Sequence, residues 1–276
     1  MGSTKLWWAG VAVTATIALT GSGVASADSS HLDGLHTDRA DLATSATSQQ
    51  KVPRTDQDIP NLTLVDNQIK AYYGDTVVDG EHFASPDSNY ARQVAGIEAR
   101  LSHYLDGAVR HSSGPSRPAV VFDVDDTTLI TYTYELEHGF AFDPVSNNEF
   151  VQAQRMTEVF GMPELVNRAA GQGITVFFVT GRPESQRDAT AGNLARVGYQ
   201  VSADTDHLFL KNTANPPAYL SCGSTCTTIE YKSQTRAHIE SLGYTILADV
   251  GDQFSDLAGG HSGRTFKLPN PMYFLP

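Results

Sequence analysis

Asp123 and Asp125 stand on alternate residues directly after the apolar run AVVF (residues 119–122), with Thr127 two positions further on. Other short apolar runs end in residues of the same chemical kind. ITVFFV (174–179) runs into Thr180 of TGRPES, LFL (208–210) into Lys211, and TILADVG (245–251) into Asp252, with Asp256 beyond it. An alternate carboxylate pair joined by a third from another strand suits Mg²⁺, a cation that prefers oxygen ligands in an octahedron and keeps several of its waters; Ca²⁺ usually demands more protein oxygens. A metal among such acids, with a hydroxyl and an ammonium to hold an anion, is equipped for phosphoryl transfer, where stabilising charge on the equatorial oxygens is most of the work. A lone acidic pair is equally well explained as loop capping. Four run ends carrying such groups favour a site.

The runs that deliver these residues are apolar on consecutive rather than alternate positions, the pattern of strands covered on both faces of a parallel sheet. Helix-like stretches lie between them: residues 163–170 before Gly171, 183–197 before Gly198 and 227–242 before Gly243. Upstream, Val94, Ile97, Leu101, Leu105 and Val109 recur at spacings of three and four, so an amphipathic packing helix is predicted over residues 90–109. Alternating strands and helices imply an α/β sandwich. Open parallel sheets bind ligands outside the carboxyl ends of their strands, where Asp123, Thr180, Lys211 and Asp252 would all gather.

The 276-residue chain carries 31 acidic against 19 basic residues, a formal charge of −12 that repels phosphate polymers and anionic lipid. A nucleic acid partner and stable membrane association are not expected. Residues 1–27 place one lysine, Lys5, before an apolar stretch that ends in small residues, as in a cleaved secretory signal. Residues 28–58 are Ser-, Thr-, Asp- and Ala-rich, too polar to offset their ordering entropy, and read as a flexible leader. One domain is expected over residues 59–276, in a secreted protein. The two cysteines, Cys222 and Cys226, are expected to form a disulfide closing a small loop. The histidines, among them His138, His207 and His261, show no metal-ligand spacing and read as surface or core residues.

FDVDDTTL around Asp123, VTGRPES around Thr180, YKSQTR around Lys232 and GDQFSD around Asp252 resemble the four ordered motifs of the haloacid dehalogenase superfamily. The likeness is to its acid phosphatase branch, which includes bacterial class B acid phosphatases and plant vegetative storage proteins. It runs from about residue 59 to the end, including RTFKLPNPMY at residues 264–273. The resemblance implies a three-layer Rossmann-like sandwich with a central parallel sheet and a small cap inserted after the first strand. It implies Asp123 as a nucleophile that becomes an aspartyl-phosphate, and Asp125 as general acid and then base. It implies Mg²⁺ held by the Asp123 and Asp252 side chains and the Asp125 backbone carbonyl, with Asp256 in support. Thr180 and Lys232 would hold the phosphoryl group, with Lys232 favoured over Lys211 because the motif's lysine enters from a helix start. The acid at Asp125 points to ester cleavage rather than dehalogenation, since a halide leaves without a proton.

The expected activity is therefore that of a secreted Mg²⁺-dependent acid phosphatase acting on small phosphate monoesters. A catalytically silent storage or binding protein, or a phosphotransferase using the same site, are the alternatives. Tyr132, Tyr134, Phe140 and Phe142 could line the site as an apolar wall or serve as core. Arg182 and Arg187 could meet phosphate or anchor the following helix.

Overall fold

The structure, a computed structural model, describes residues 52–111 and 117–276. The expected signal segment and residues 28–51 of the expected leader lie outside the described residues.

A 3-10 turn at Asp56–Asp58 precedes helix α1 (Leu62–Tyr73), which begins where Asn61 accepts from the Leu64 N–H at 3.2 Å. It stops at Gly74, whose φ of +63° costs a glycine little. A hairpin of β1 (Thr76–Val78) and β2 (Glu81–Phe83) leads into α2 (Asn89–His111) and β3 (Arg117–Phe122). The chain continues through β4 (Leu129–Ile130), α3 (Tyr132–Glu137), α4 (Pro144–Gln152), β5 (Thr157–Glu158), α5 (Met162–Gly171) and β6 (Thr175–Pro183). It ends with α6 (Arg187–Arg196), β7 (Leu208–Lys211), α7 (Thr228–Ser241), β8 (Tyr244–Gly251), α8 (Phe254–Leu257) and β9 (Arg264–Lys267).

Five strands form one parallel sheet in the order β7-β6-β3-β8-β9, so the expected α/β sandwich is present with β3 at its centre. The consecutive apolar runs follow from burial on both faces. Val120, Phe122, Val176 and Phe178 pack into a large cluster with α2, α5 and α6, including Val94, Ile97, Leu101 and Leu105. Ala119, Val121, Phe177 and Val179 pack on the other face against Tyr231 and Ile239 of α7. Each fully buried Val, Leu, Ile or Phe among them stabilises the fold by roughly 1.5–3 kcal/mol relative to exposure.

The expected insertion after the first strand is present as α3 and α4 with the small β4–β5 ladder. Asp143 caps α4 by accepting from the N–H groups of Val145 (3.0 Å) and Ser146 (2.8 Å), and Pro144 supplies a pre-set first turn. One predicted boundary moves: the helix expected from Pro183 starts as a 3-10 turn, Glu184–Gln186, and becomes α6 at Arg187. Pro183 disfavours a helical Arg182, so the TGRP segment stays extended at the end of β6. Cys222 and Cys226 are bridged, immediately before α7. Among the described residues, no helix is long and apolar enough to cross a membrane.

One half-buried acid on α2 makes stability depend on pH. Glu98 has an Oε1 that finds no hydrogen-bond partner among the described residues, and burial together with the nearby Glu164 pushes its carboxyl up to about 7. A carboxyl raised above its unfolded value binds more protons folded than unfolded, so stability falls as pH rises from the unfolded value through about 7. Glu98→Gln is expected to raise the urea midpoint strongly at about pH 8 and little at about pH 4, below the unfolded carboxyl value; an equal effect at both would contradict this.

Candidate active site

The loop after β3 is drawn tight by its own backbone. Thr128 and Leu129 both donate to the Val124 carbonyl at 2.9 Å, and Asp126 adopts a left-handed φ of +52°. Its carboxylate holds the turn by accepting from the Thr131 N–H at 3.0 Å and the Tyr273 hydroxyl at 2.8 Å. Asp123 is tied to the next strand through its N–H, which donates to Val250 O at 2.9 Å. These bonds set Asp123 beside the end of β8, where Asp252 follows Gly251. A Cβ on Gly251 would lie 2.5 Å from both Cβ and Oδ2 of Asp256, so only glycine admits the Asp256 carboxylate there.

Asp123, Asp252 and Asp256 are buried, and each offers an oxygen such that all three lie within 4.8 Å of one another. Lys232 enters from α7, which starts with a reciprocal cap: Thr227 N–H donates to Glu230 Oε2 at 2.9 Å and Glu230 N–H to Thr227 Oγ1 at 3.2 Å. Its ammonium donates to Asp123 Oδ1 and, at 2.6 Å, to Asp256 Oδ1. Burial works to lower the lysine's pKa, but Asp123 and Asp256 outweigh it and hold the ammonium charged. Lys211 is elsewhere, donating to Cys226 O at 2.8 Å. Asp123 Oδ2 takes no hydrogen bond from the described residues.

Three carboxylates against one ammonium leave two negative charges uncompensated. Burial pushes the Asp123 carboxyl well up, against the pull of Lys232 and with further push from Asp256, Asp252 and Asp125. Asp252 is pushed up to about 7 by burial, with Asp256 and Asp126 adding to it and bonds from Asn270 and Gln253 opposing. Hard oxygen donors, dense negative charge and that deficit fit a divalent cation of the magnesium type.

The Asp125 side chain lies outside this trio. Arg182 grips it with Nη2 to Oδ1 at 2.7 Å and Nε to Oδ2 at 3.0 Å. The guanidinium is itself buried and donates to Thr190 Oγ1 of α6 at 2.9 Å. Arg182 thus neither anchors the helix alone nor stands free for phosphate: it orients Asp125. Arg187 does anchor, through Glu184 and a 2.7 Å bond to Leu208 O. Thr180 is fully buried at the end of β6, its Oγ1 accepting from Arg182 N–H at 3.2 Å, and its own proton finds no acceptor among the described residues.

The aromatic segment divides. Tyr132 and Tyr134 are buried core, Tyr132 stacked on Tyr73 and bonded to Asp75 at 3.0 Å, and Phe140 packs against the same core. Only Phe142 is exposed. His138 bonds back to Tyr134 O, His207 pairs with Asp204 and His261 with Glu240, none of them in the acidic trio.

The sequence matches the family model described as HAD superfamily, subfamily IIIB (Acid phosphatase), over residues 33–276. The chain belongs to this family. Among related proteins, acid phosphatase 1 of Solanum lycopersicum is 34% identical over 199 residues, 71% of this chain and 72% of that protein. The stem 28 kDa glycoprotein of Glycine max is 32% identical over 160 residues, 56% of this chain, and the chain spans 59% of that relative's length. The fold is similar to the class C acid phosphatase from Bacillus anthracis, with a TM-score of 0.57 at 20% identity, covering 76% of this chain and 86% of that one.

In this HAD-family site, residues the motifs did not single out complete the frame. Arg236, also in YKSQTR, is buried, pairs with Asp249 at 2.9 Å and donates to the carbonyls of Asp256, Ala258 and Gly260, fixing α8, which carries Asp256, and the residues that follow it. Its presence in the motif was the available signal. Asn270 and Gln253 both donate to Asp252 Oδ2 at 2.7 Å, a pairing no local spacing announces.

Proposed function

We propose that the protein hydrolyses small phosphate monoesters through a phosphoryl group carried on Asp123. The observation that carries this reading is the Asp123 carboxylate, with Oδ1 held by Lys232 and Oδ2 uncommitted, inside a buried acidic trio two charges short of balance. Asp123 Oδ2 attacks phosphorus as the bond to the leaving oxygen breaks, and Asp125 delivers the proton that the departing alkoxide needs. Water then attacks phosphorus, Asp125 accepts its proton, and the bond to Oδ2 breaks. Thr180 and Lys232 donate to the equatorial oxygens, where the transition-state charge spreads.

Asp123, Asp252 and the Asp125 carbonyl would hold a magnesium ion, with Asp256, both of whose oxygens are already engaged, contributing charge. Such an ion offsets the repulsion between an anionic nucleophile and an anionic substrate. Export, with cleavage after residue 27 and a leader to residue 58, is part of the same reading; the Cys222–Cys226 bridge supports it, since disulfides persist in oxidising compartments.

Assaying p-nitrophenyl phosphate and nucleoside monophosphates from acid to neutral pH tests the reading. Turnover that EDTA abolishes and Mg²⁺ restores is expected; no turnover with Mg²⁺ would leave a silent binding protein, and phosphate appearing on an added alcohol would mark a phosphotransferase. The Arg182 grip adds a sharper expectation. Arg182→Lys is expected to lower kcat about 10²-fold on alkyl phosphates, whose leaving oxygen needs a proton, and far less on p-nitrophenyl phosphate. Equal losses on both, expressed in KM, would mean that Arg182 binds phosphate instead.

A further inference from the structure

The C-terminal motif RTFKLPNPMY does more than close the sheet: the chain after β9 packs against Asp252, one of the acidic trio, and against the residues beside it. Leu268 N–H donates to Gly251 O at 2.9 Å, and the turn that follows is shaped by Asn270 Oδ1 accepting from Met272 N–H at 2.8 Å. The other end of the same amide, Nδ2, donates to Asp252 Oδ2 at 2.7 Å. Gln253 lies between: its Nε2 donates to that same Oδ2 at 2.7 Å, and its Oε1 accepts from Leu275 N–H at 3.2 Å. Three more bonds secure the strap, Ser255 Oγ to Leu275 O at 3.0 Å, Tyr273 hydroxyl to Asp126 Oδ2 at 2.8 Å and Gln253 Nε2 to Tyr273 O at 3.4 Å.

We infer that residues 268–275 form a strap that positions Asp252 for the divalent cation, with Asn270 as the positioning residue. The inference rests on the reading of Asp252 as a metal ligand. Oδ2 of Asp252 is saturated by two amide donors, whereas Oδ1 receives, among the described residues, only the longer, 3.2 Å bond from Thr127. The carboxylate is therefore held in one rotation, with Oδ1 the oxygen left for a cation. The chemistry of the donors matters as much as their geometry. Amides orient a carboxylate without cancelling its charge, so the two-charge deficit of the trio is preserved for the ion; a lysine or arginine in place of Asn270 would compete with it. Partners of this kind behind a metal ligand are worth about 10- to 100-fold in metal affinity. Beside the strap lies a cavity of about 440 Å³ bordered by Asp252, Phe254, Lys267 and Asn270, so loss of the amide leaves Asp252 room to turn.

The test compares Mg²⁺ dissociation constants of the full chain by titration calorimetry, together with the Tm of the metal-free protein. Asn270→Ser keeps an oxygen that can accept from the Met272 N–H but is too short to reach Asp252. It is expected to weaken Mg²⁺ binding about 10- to 100-fold with the metal-free Tm little changed, and saturating Mg²⁺ is expected to recover most of kcat. Gln253→Met, which removes the second donor to the same oxygen, gives the same readout if the serine variant does not fold. Mg²⁺ binding within about twofold of wild type in the folded variant would overturn the strap's role. Asp252→Asn separates the two levels: if it binds Mg²⁺ as tightly as wild type, the metal-ligand reading fails, whereas a loss there with none at Asn270 overturns the strap alone.

Discussion

Asp123→Asn is expected to lower kcat by at least about 10⁴-fold, a loss of the size seen when a nucleophile is removed. That factor corresponds to about 5.5 kcal/mol of activation free energy, more than any single donor to the phosphoryl oxygens would supply. The change leaves the loop that carries residue 123 in place. The loop is held by backbone bonds, Asp123 N–H to Val250 O and Thr128 and Leu129 N–H to Val124 O, that asparagine leaves in place. The amide oxygen can still accept from Lys232, but the atom replacing the free Oδ2 is a nitrogen with no lone pair to offer phosphorus. Steady-state kinetics with a circular dichroism control check this. Activity above about 1% of wild type in the folded variant would place the nucleophile elsewhere.

Lys232→Met is expected to damage both stability and turnover. The ammonium is buried and bonded to Asp123 and Asp256, so its removal leaves two carboxylates facing one another with nothing between them. Removing one partner of such a buried network costs about 3–5 kcal/mol. The sign with pH follows from the raised folded value: the lysine's contribution is fully present below the unfolded lysine value of about 10.4 and is lost only as pH rises through the folded one. The loss of Tm is therefore expected in full at neutral pH, and excess Mg²⁺ is expected to restore part of it by supplying positive charge. Turnover is expected to fall about 10²- to 10³-fold, as when one donor to a developing anion is deleted. Urea titrations with and without Mg²⁺ check the stability term; an unchanged midpoint without metal would show that Lys232 is not the counter-charge of the trio.

Much of the sheet was legible because β3, β6 and β8 are buried on both faces, and continuous apolar runs are the direct imprint of that burial. β9 left no such imprint: it is an edge strand in which only Phe266 is buried. α1 was equally silent, since Ile69 and Tyr73 are its only buried residues. The ends of the runs gave Asp123, Thr180 and Asp252, because a parallel sheet brings strand ends together whatever the loops do. Lys211 shows the limit of that rule. It follows its strand as the others do, yet β7 is the edge, and its ammonium is drawn to Cys226 O instead of the centre. The distribution of carboxylates between the acidic trio and Arg182, and the reach of Asn270 and Tyr273 back to Asp252 and Asp126, depend on contacts between residues far apart in sequence, for which spacing carries no signal.

The claim on which the functional reading stands, that Asp123 receives the phosphoryl group, is tested most directly by mass spectrometry of acid-quenched single-turnover mixtures of the full chain with a phosphate ester and Mg²⁺. The mass of one phosphoryl group is expected on the peptide containing Asp123, absent when Mg²⁺ is withheld and absent in Asp123→Asn. Ester hydrolysis at full rate with no phosphoryl group on that peptide, or with it on another residue, would contradict the claim.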